Sequence, residues 1–190
     1  RTPEKWSGVS MGTISIGQEV AVTPLQILRA YSAIANGGIL VTPHVVSEVR
    51  SPDGTLVYSY SNGDNKIAIS KKTADIFKDI LKTVTEEGGT GKSASVEGNQ
   101  VAGKTGTAQI IDPKTKRYSK EKYVGSFVGF VPADNPKLAL IVVVYEPRGQ
   151  IYGGVVAAPV FKEIAKQSLS YLNVPREDTE GRNILVVERR

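Results

Sequence analysis

The segment from Tyr123 to Pro147 constrains the fold more than any other. "YVGSFVGFVP" (123–132) alternates apolar residues around glycine and serine, the pattern of a strand with two unlike faces. "KLALIVVVYEP" (137–147) is a near-continuous apolar run, as in a strand buried on both faces. Only Ala133-Asp134-Asn135-Pro136 separates them, too short a link for a crossover, so the two pair antiparallel.

Helices surround this sheet in the sequence. Thr23-Pro24-Leu25-Gln26 reads as a capping box with proline at the first helical position. Ile27, Leu28, Tyr31, Ile34 and Ala35 then give one apolar face, and Asn36-Gly37-Gly38 ends the helix. "HVVSEVR" and "TLVYSY" flank Ser51-Pro52-Asp53-Gly54, a hairpin with a tight turn. Ser70 caps a second helix with Phe77, Ile80, Leu81 and Val84 expected inside, closed by Gly88-Gly89. The last helix starts near Ala157-Ala158-Pro159. Phe161, Ala165, Leu169 and Leu172 form its stripe, widened by Val160 and Ile164. The order is helix, hairpin, helix, three strands and helix, which predicts an α+β fold with an antiparallel sheet flanked by helices. Residues 1–175 form one unit, and 176–190 are a charged tail.

Composition removes several chemistries. Cysteine is absent, so disulfides, thiolate metal sites and cysteine nucleophiles are excluded within this chain. His44 is the single histidine, which rules out a multi-histidine metal site here, and it is expected on the surface of a hairpin strand. No cofactor is expected. Lysine and arginine exceed aspartate and glutamate by 24 to 19, but they are scattered with no aromatic interleaving, so no nucleic-acid partner is expected. No apolar run reaches the length of a membrane span. The opening "RTPEKWSG" lacks an initiator Met, and the chain is expected to be a fragment or a processed product.

"GNQVAGKTGTAQ" (98–109) fits two templates. From Gly98 it reads G-x-x-x-x-G-K-T, a phosphate-binding loop. That loop must open a helix whose N–H groups face phosphate. Here Gly106, the β-branched residues and Asp112-Pro113 that follow make a poor helix, and the upstream "TEEGGTGKSASVE" is no buried strand. P-loop nucleotide binding is therefore a distant alternative. From Lys104 the same residues read K-T-G, one element of an active-serine set. As a strand over 101–110, they place Val101, Gly103, Thr105 and Thr107 opposite Ala102, Lys104, Gly106 and Ala108. The glycines then mark close approach of a ligand or backbone. Lysine supplies a positive charge, and the threonines supply hydroxyl donors for a carboxylate.

"SIGQEVAVTPLQILRAYSAIANGGILVTPHVV", "GGTGKSA", "VAGKTGTAQ", "FVGFVPADNPKLALIVVV" and "YGGVVAAPVFKEIA" together resemble the C-terminal half of the transpeptidase domain of a class B penicillin-binding protein. The resemblance spans roughly residues 7–172, in order. It implies a penicillin-binding protein/serine β-lactamase-like fold, of which this chain is a part. Residues 101–109 would line the active site, 124–132 and 138–146 would continue the sheet, and 157–172 would pack on its face. The implied reaction cross-links peptidoglycan stem peptides through an acyl-enzyme, and β-lactam antibiotics acylate the same serine. By motif position, Lys104 would polarise the site and attract the substrate carboxylate. Thr105 and Thr107 would bind that carboxylate, and Gly106 would leave room for substrate. The Thr107 N–H would donate to the oxyanion.

The family's S-x-N motif occurs nowhere in these residues, and S-x-x-K occurs once, as Ser119-Lys120-Glu121-Lys122. That copy follows K-T-G, in the wrong order, and reads as a solvated loop. The nucleophile is therefore expected on the N-terminal remainder of the domain, and the isolated chain is expected to be inactive. Relatives often carry glycine where Glu19 stands. The resemblance places the parent on the outer face of the cytoplasmic membrane, with cell-division or elongation proteins as further partners. A β-lactam-sensing or non-catalytic penicillin-binding module is the alternative, although the "VTPLQ…ANGG" helix favours the biosynthetic enzymes.

Overall fold

The computed structural model describes residues 2–61, 66–115 and 117–177. In chain order it has α1 (Ser10–Ser15), α2 (Pro24–Ala35), β1 (Ile39–Leu40), β2 (Glu48–Arg50), β3 (Leu56–Ser59) and β4 (Lys66–Ile67). Then follow α3 (Lys71–Thr83), β5 (Ala102–Ile111), β6 (Tyr118–Val131), β7 (Leu138–Tyr145), α4 (Gly153–Val156) and α5 (Ala158–Tyr171). The sequence anticipates α2, the β2–β3 hairpin, α3, the three long strands and α5. The short α1, the β1–β4 pair and α4 carry too few residues for a periodic signal.

Local chemistry sets the helix starts. The Thr23 hydroxyl accepts from the Gln26 N–H at 3.2 Å, and the Gln26 side chain accepts from the Thr23 N–H at 2.8 Å. Such a cap contributes about 1 kcal/mol. Ser70 caps α3 by accepting from the Thr73 N–H at 3.1 Å.

β5, β6 and β7 form one antiparallel sheet in that order. Lys104 faces Val128 across the ladder, Thr105 faces Phe127, Gly106 faces Ser126 and Thr107 faces Gly125. Because side chains alternate along β6, its two phenylalanines enter different layers. Phe127 meets Phe161 of α5 edge-on, with ring centroids 4.7 Å apart. Ala157, Ala158, Ala165 and Leu169 close this layer. Phe130 lies on the other side with Ala102, Leu81 and Ala133, covered by Tyr31, Ile34 and Ala35 of α2. The sheet is thus held between α5 on one face and α2 with α3 on the other. Lys82 of α3 reaches the β6–β7 turn, with its ammonium 2.5 Å from Asp134 and 3.3 Å from Asp79.

Several expectations about burial are corrected. On α3 only Ala74 and Leu81 are buried, whereas Phe77 and Ile80 are 46% and 55% exposed. The apolar stripe is real, but no element of the described residues covers its outer half. Val160 and Ile164 of α5, and Leu172 just past its end, are exposed, because the sheet touches only the line through Phe161, Ala165 and Leu169. β7 is an edge strand, so its run is only half-buried, and Val143 and Tyr145 face outward. Ser119–Lys122 belongs to β6 and is no loop, though mostly exposed. His44 lies ahead of β2, where its ring stacks on Tyr60 at 3.4 Å. The expected tail starts with a docked turn: the Glu177 N–H donates to the Gly98 carbonyl, and its carboxylate accepts from the Gln100 N–H, each at 2.7 Å. The rest of the tail lies outside the described residues.

Candidate active site

The four residues of interest sit together on β5, at an edge no other described strand covers. Ala102 packs among Phe130 and Leu81, so Lys104 and Gly106, two and four residues on, share the α2–α3 side of the sheet. Gly103, Thr105 and Thr107 take the opposite side. Gly103 must be bare, because a Cβ there would collide with the Phe127 ring and the Val128 carbonyl. The strand is buried at Ala102 and Gly103 and opens to solvent from Lys104 onward.

Each polar side chain has a defined setting. The Lys104 ammonium donates to the Thr105 carbonyl at 3.1 Å and has no carboxylate partner among the described residues. The Thr105 hydroxyl shares a hydrogen bond with the Thr90 hydroxyl at 3.0 Å. The Thr107 hydroxyl accepts from the Gly153 N–H at 3.1 Å. With that lone pair engaged, its own proton remains available to an incoming acceptor. The strand thus offers an unpaired cation and hydroxyl donors along one exposed edge, a chemistry suited to a carboxylate.

Two supporting residues lie outside the motif. Gly153 sits so close to the sheet that a Cβ would overlap the Ser126 and Gly106 carbonyl oxygens. Gly154 is similarly tight against the Thr90 carbonyl. The Gly153-Gly154 doublet was the sequence signal for this contact, and only three-dimensional proximity reveals what it meets. Thr90 carried no such signal.

The phosphate-loop reading fails on geometry. Lys104 and Thr105 stand inside a strand, and no helix begins after them. The neighbouring Gly89-Thr90-Gly91-Lys92-Ser93, which spells part of the same loop pattern, runs into a single 3-10 turn over Lys92–Ala94. Ser119, the serine of the S-x-x-K copy, lies within β6, where its hydroxyl accepts from the Glu121 and Lys122 N–H groups at 3.2 and 3.0 Å.

The loop before α2 borders the far end of β5. Glu19 has φ +61, in the left-handed region that favours glycine. Its carboxylate accepts from the Ser10 hydroxyl at 2.9 Å and from the Thr13 hydroxyl at 3.0 Å, and Ser10 is fully buried. The Glu19 N–H donates to the Tyr118 hydroxyl at 3.3 Å, joining the loop to β6. These bonds supply what offsets the backbone strain of a non-glycine residue there.

Comparison with known proteins decides the family. The model of the penicillin binding protein transpeptidase domain matches residues 1–166. The chain belongs to the class B penicillin-binding protein transpeptidase family. It is 42% identical to Stage V sporulation protein D of Bacillus subtilis over 178 residues, which cover 92% of this chain and 27% of that protein. To the probable peptidoglycan D,D-transpeptidase PenA of Neisseria gonorrhoeae it is 34% identical, covering 92% of this chain and 28% of the relative. Among solved structures it is similar to penicillin binding protein 3 of Mycobacterium tuberculosis complexed with ampicillin, with a TM-score of 0.84 and 35% identity. That likeness covers 94% of this chain and 41% of the other. The chain therefore spans well under half the length of these relatives. The α+β arrangement of helices around an antiparallel sheet agrees with the fold of this family. The sequence Lys104-Thr105-Gly106 lies on β5 of this domain.

Proposed function

We propose that this chain is the substrate-facing part of a serine-type peptidoglycan D,D-transpeptidase. Its K-T-G strand binds the terminal carboxylate of a stem peptide ending in D-alanyl-D-alanine. The observation that carries this reading is the alignment of Lys104, Thr105 and Thr107 on an uncovered strand edge, with the Thr107 hydroxyl proton left free by Gly153.

In the proposed reaction a serine oxygen attacks the carbonyl of the penultimate D-alanine. The amide bond to the terminal D-alanine breaks, and that residue leaves as the amine after taking a proton. An amine of a neighbouring stem peptide then attacks the ester carbonyl, forming the cross-link and freeing the serine. Lys104 supplies positive potential for the carboxylate and for the polarised hydroxyls. Thr105 and Thr107 donate hydrogen bonds to the carboxylate, Gly106 keeps the strand surface low, and the Thr107 N–H is one oxyanion donor. Removing such a donor costs about 3 kcal/mol in the transition state.

The serine belongs to the remainder of the domain, which packs on α2 and α3. The exposed Leu25, Ile76, Phe77 and Ile80 there are the apolar surface for it. β-Lactams acylate the same serine. The parent works on the outer face of the cytoplasmic membrane beside cell-division or elongation proteins. Among the described residues no helix is long and apolar enough to cross a membrane. The test is covalent labelling with a fluorescent penicillin. The full-length protein is expected to label and the isolated 190-residue chain to stay unlabelled. Labelling of the isolated chain would overturn the assignment of the nucleophile.

A further inference from the structure

Beyond Thr107, β5 continues into a second recess that the K-T-G motif does not describe. It has a volume of about 570 Å³ and lies between the loop at Gly17–Ala21 and the strand residues Ala108, Gln109, Arg117 and Tyr118. Its walls are fixed from three directions. Tyr118 holds the loop through the Glu19 N–H, the Gln109 side-chain amide donates to the Ser119 carbonyl at 2.9 Å, and the Arg117 carbonyl accepts from the Asp112 N–H at 2.8 Å.

Two opposite charges border the recess, in unequal states. The Glu19 carboxylate is taken up by the hydroxyls of Ser10 and Thr13. The Arg117 guanidinium is exposed and has no carboxylate or carbonyl partner among the described residues. A planar, permanently charged fork beside a pocket, with its acidic neighbour already engaged, biases that pocket toward a carboxylate.

The proposed function gives the direction of approach. With the terminal carboxylate at Thr105 and Thr107 and the scissile carbonyl at the Thr107 N–H, the rest of the peptide runs past Ala108 and Gln109. An extended chain advances about 3.3 Å per residue, so the residue before the two D-alanines arrives beside this recess.

We propose that Arg117 is a specificity-determining residue, binding a side-chain carboxylate on the residue that precedes the D-alanyl-D-alanine pair, in the recess between loop 17–21 and the β5–β6 hairpin. The inference rests on the transpeptidase reading above. It makes the enzyme a discriminator between stem peptides whose acid group is free and those in which it is amidated.

The experiment uses the full-length protein and two synthetic peptides ending in D-alanyl-D-alanine. They differ only in a carboxylate or a carboxamide on the preceding side chain. The wild type is expected to favour the carboxylate peptide by about tenfold or more in kcat/KM, mainly through KM. Arg117→Ala brings the ratio close to one, Arg117→Lys keeps part of it, and Arg117→Glu inverts it. Lys114→Ala, a basic residue of the same hairpin outside the recess, leaves the ratio as in the wild type. A wild type without preference, a preference surviving Arg117→Ala, or an equal loss in Lys114→Ala each overturns the proposal. If the wild type turns over neither peptide and takes no penicillin label, the transpeptidase reading falls and this inference falls with it. Labelling without discrimination sinks the inference alone.

Discussion

Gly153 and Thr107 are 46 residues apart in sequence, yet the backbone of one sets the hydroxyl of the other. The approach is possible because Gly153 has no side chain where the Ser126 and Gly106 carbonyls stand. Gly153→Ala is therefore expected to push α4 off the sheet and to destabilise the fold by about 1–3 kcal/mol. It should also slow penicillin acylation of the full-length protein, since Thr107 loses its orienting donor. Chemical denaturation together with labelling kinetics checks both parts, and unchanged values in both would contradict this role. At this scale the placement of Lys104, Thr105, Gly106 and Thr107 on one strand was legible, because the glycines and β-branched residues there make a poor helix and alternate as a strand. Thr90 and the partner of Gly153 were not, because contacts over such separations leave no local pattern. The positive φ of Glu19 and its bonds to Ser10 and Thr13 emerged only from the fold.

The β2–β3 hairpin shows how an element's turn stores a pH response. The Asp53 carboxylate accepts from the Ser51 hydroxyl and from the Thr55 N–H at 3.0 Å, while the Gly54 N–H donates to the Ser51 carbonyl at 2.9 Å. The Ser51 hydroxyl first, then the Thr55 N–H, hold the Asp53 pKa down to about 2. A carboxylate whose folded pKa is depressed stabilises the turn fully above its unfolded pKa, near 3.9, and the contribution is lost as pH falls toward 2. Carbon-13 NMR of the Asp53 carboxyl is expected to titrate near 2, and a midpoint near 4 would contradict the turn geometry. Elements with strong periodic or capping signals, such as α2, α3 and the three long strands, were readable in advance. Which side of them is covered was not. On α3 the stripe through Phe77 and Ile80 has the same spacing as a buried face, and only a packed neighbour distinguishes the two. The same holds for β7, whose apolar run reads as central although it lies at the edge of its sheet.

For the whole molecule, the sheet with α5 on one face and α2 and α3 on the other leaves one edge of β5 without a neighbouring strand among the described residues. Phe127 and Phe130 anchor the two layers, so β6 fixes one edge of β5 and leaves the other uncovered among the described residues. The uncovered apolar residues of α2 and α3 are consistent with a second part of the domain bringing the serine opposite Lys104. The central claim is that this edge holds a D-alanyl-D-alanine terminus for acyl transfer. Its most direct measurement is release of D-alanine from such a peptide by the full-length protein and by its Thr107→Val variant. The account predicts release by the wild type and a loss of about tenfold or more in kcat/KM for the variant, in which a hydroxyl donor to a charged group is gone. Absence of D-alanine release from the wild type, or full activity in Thr107→Val, would contradict it.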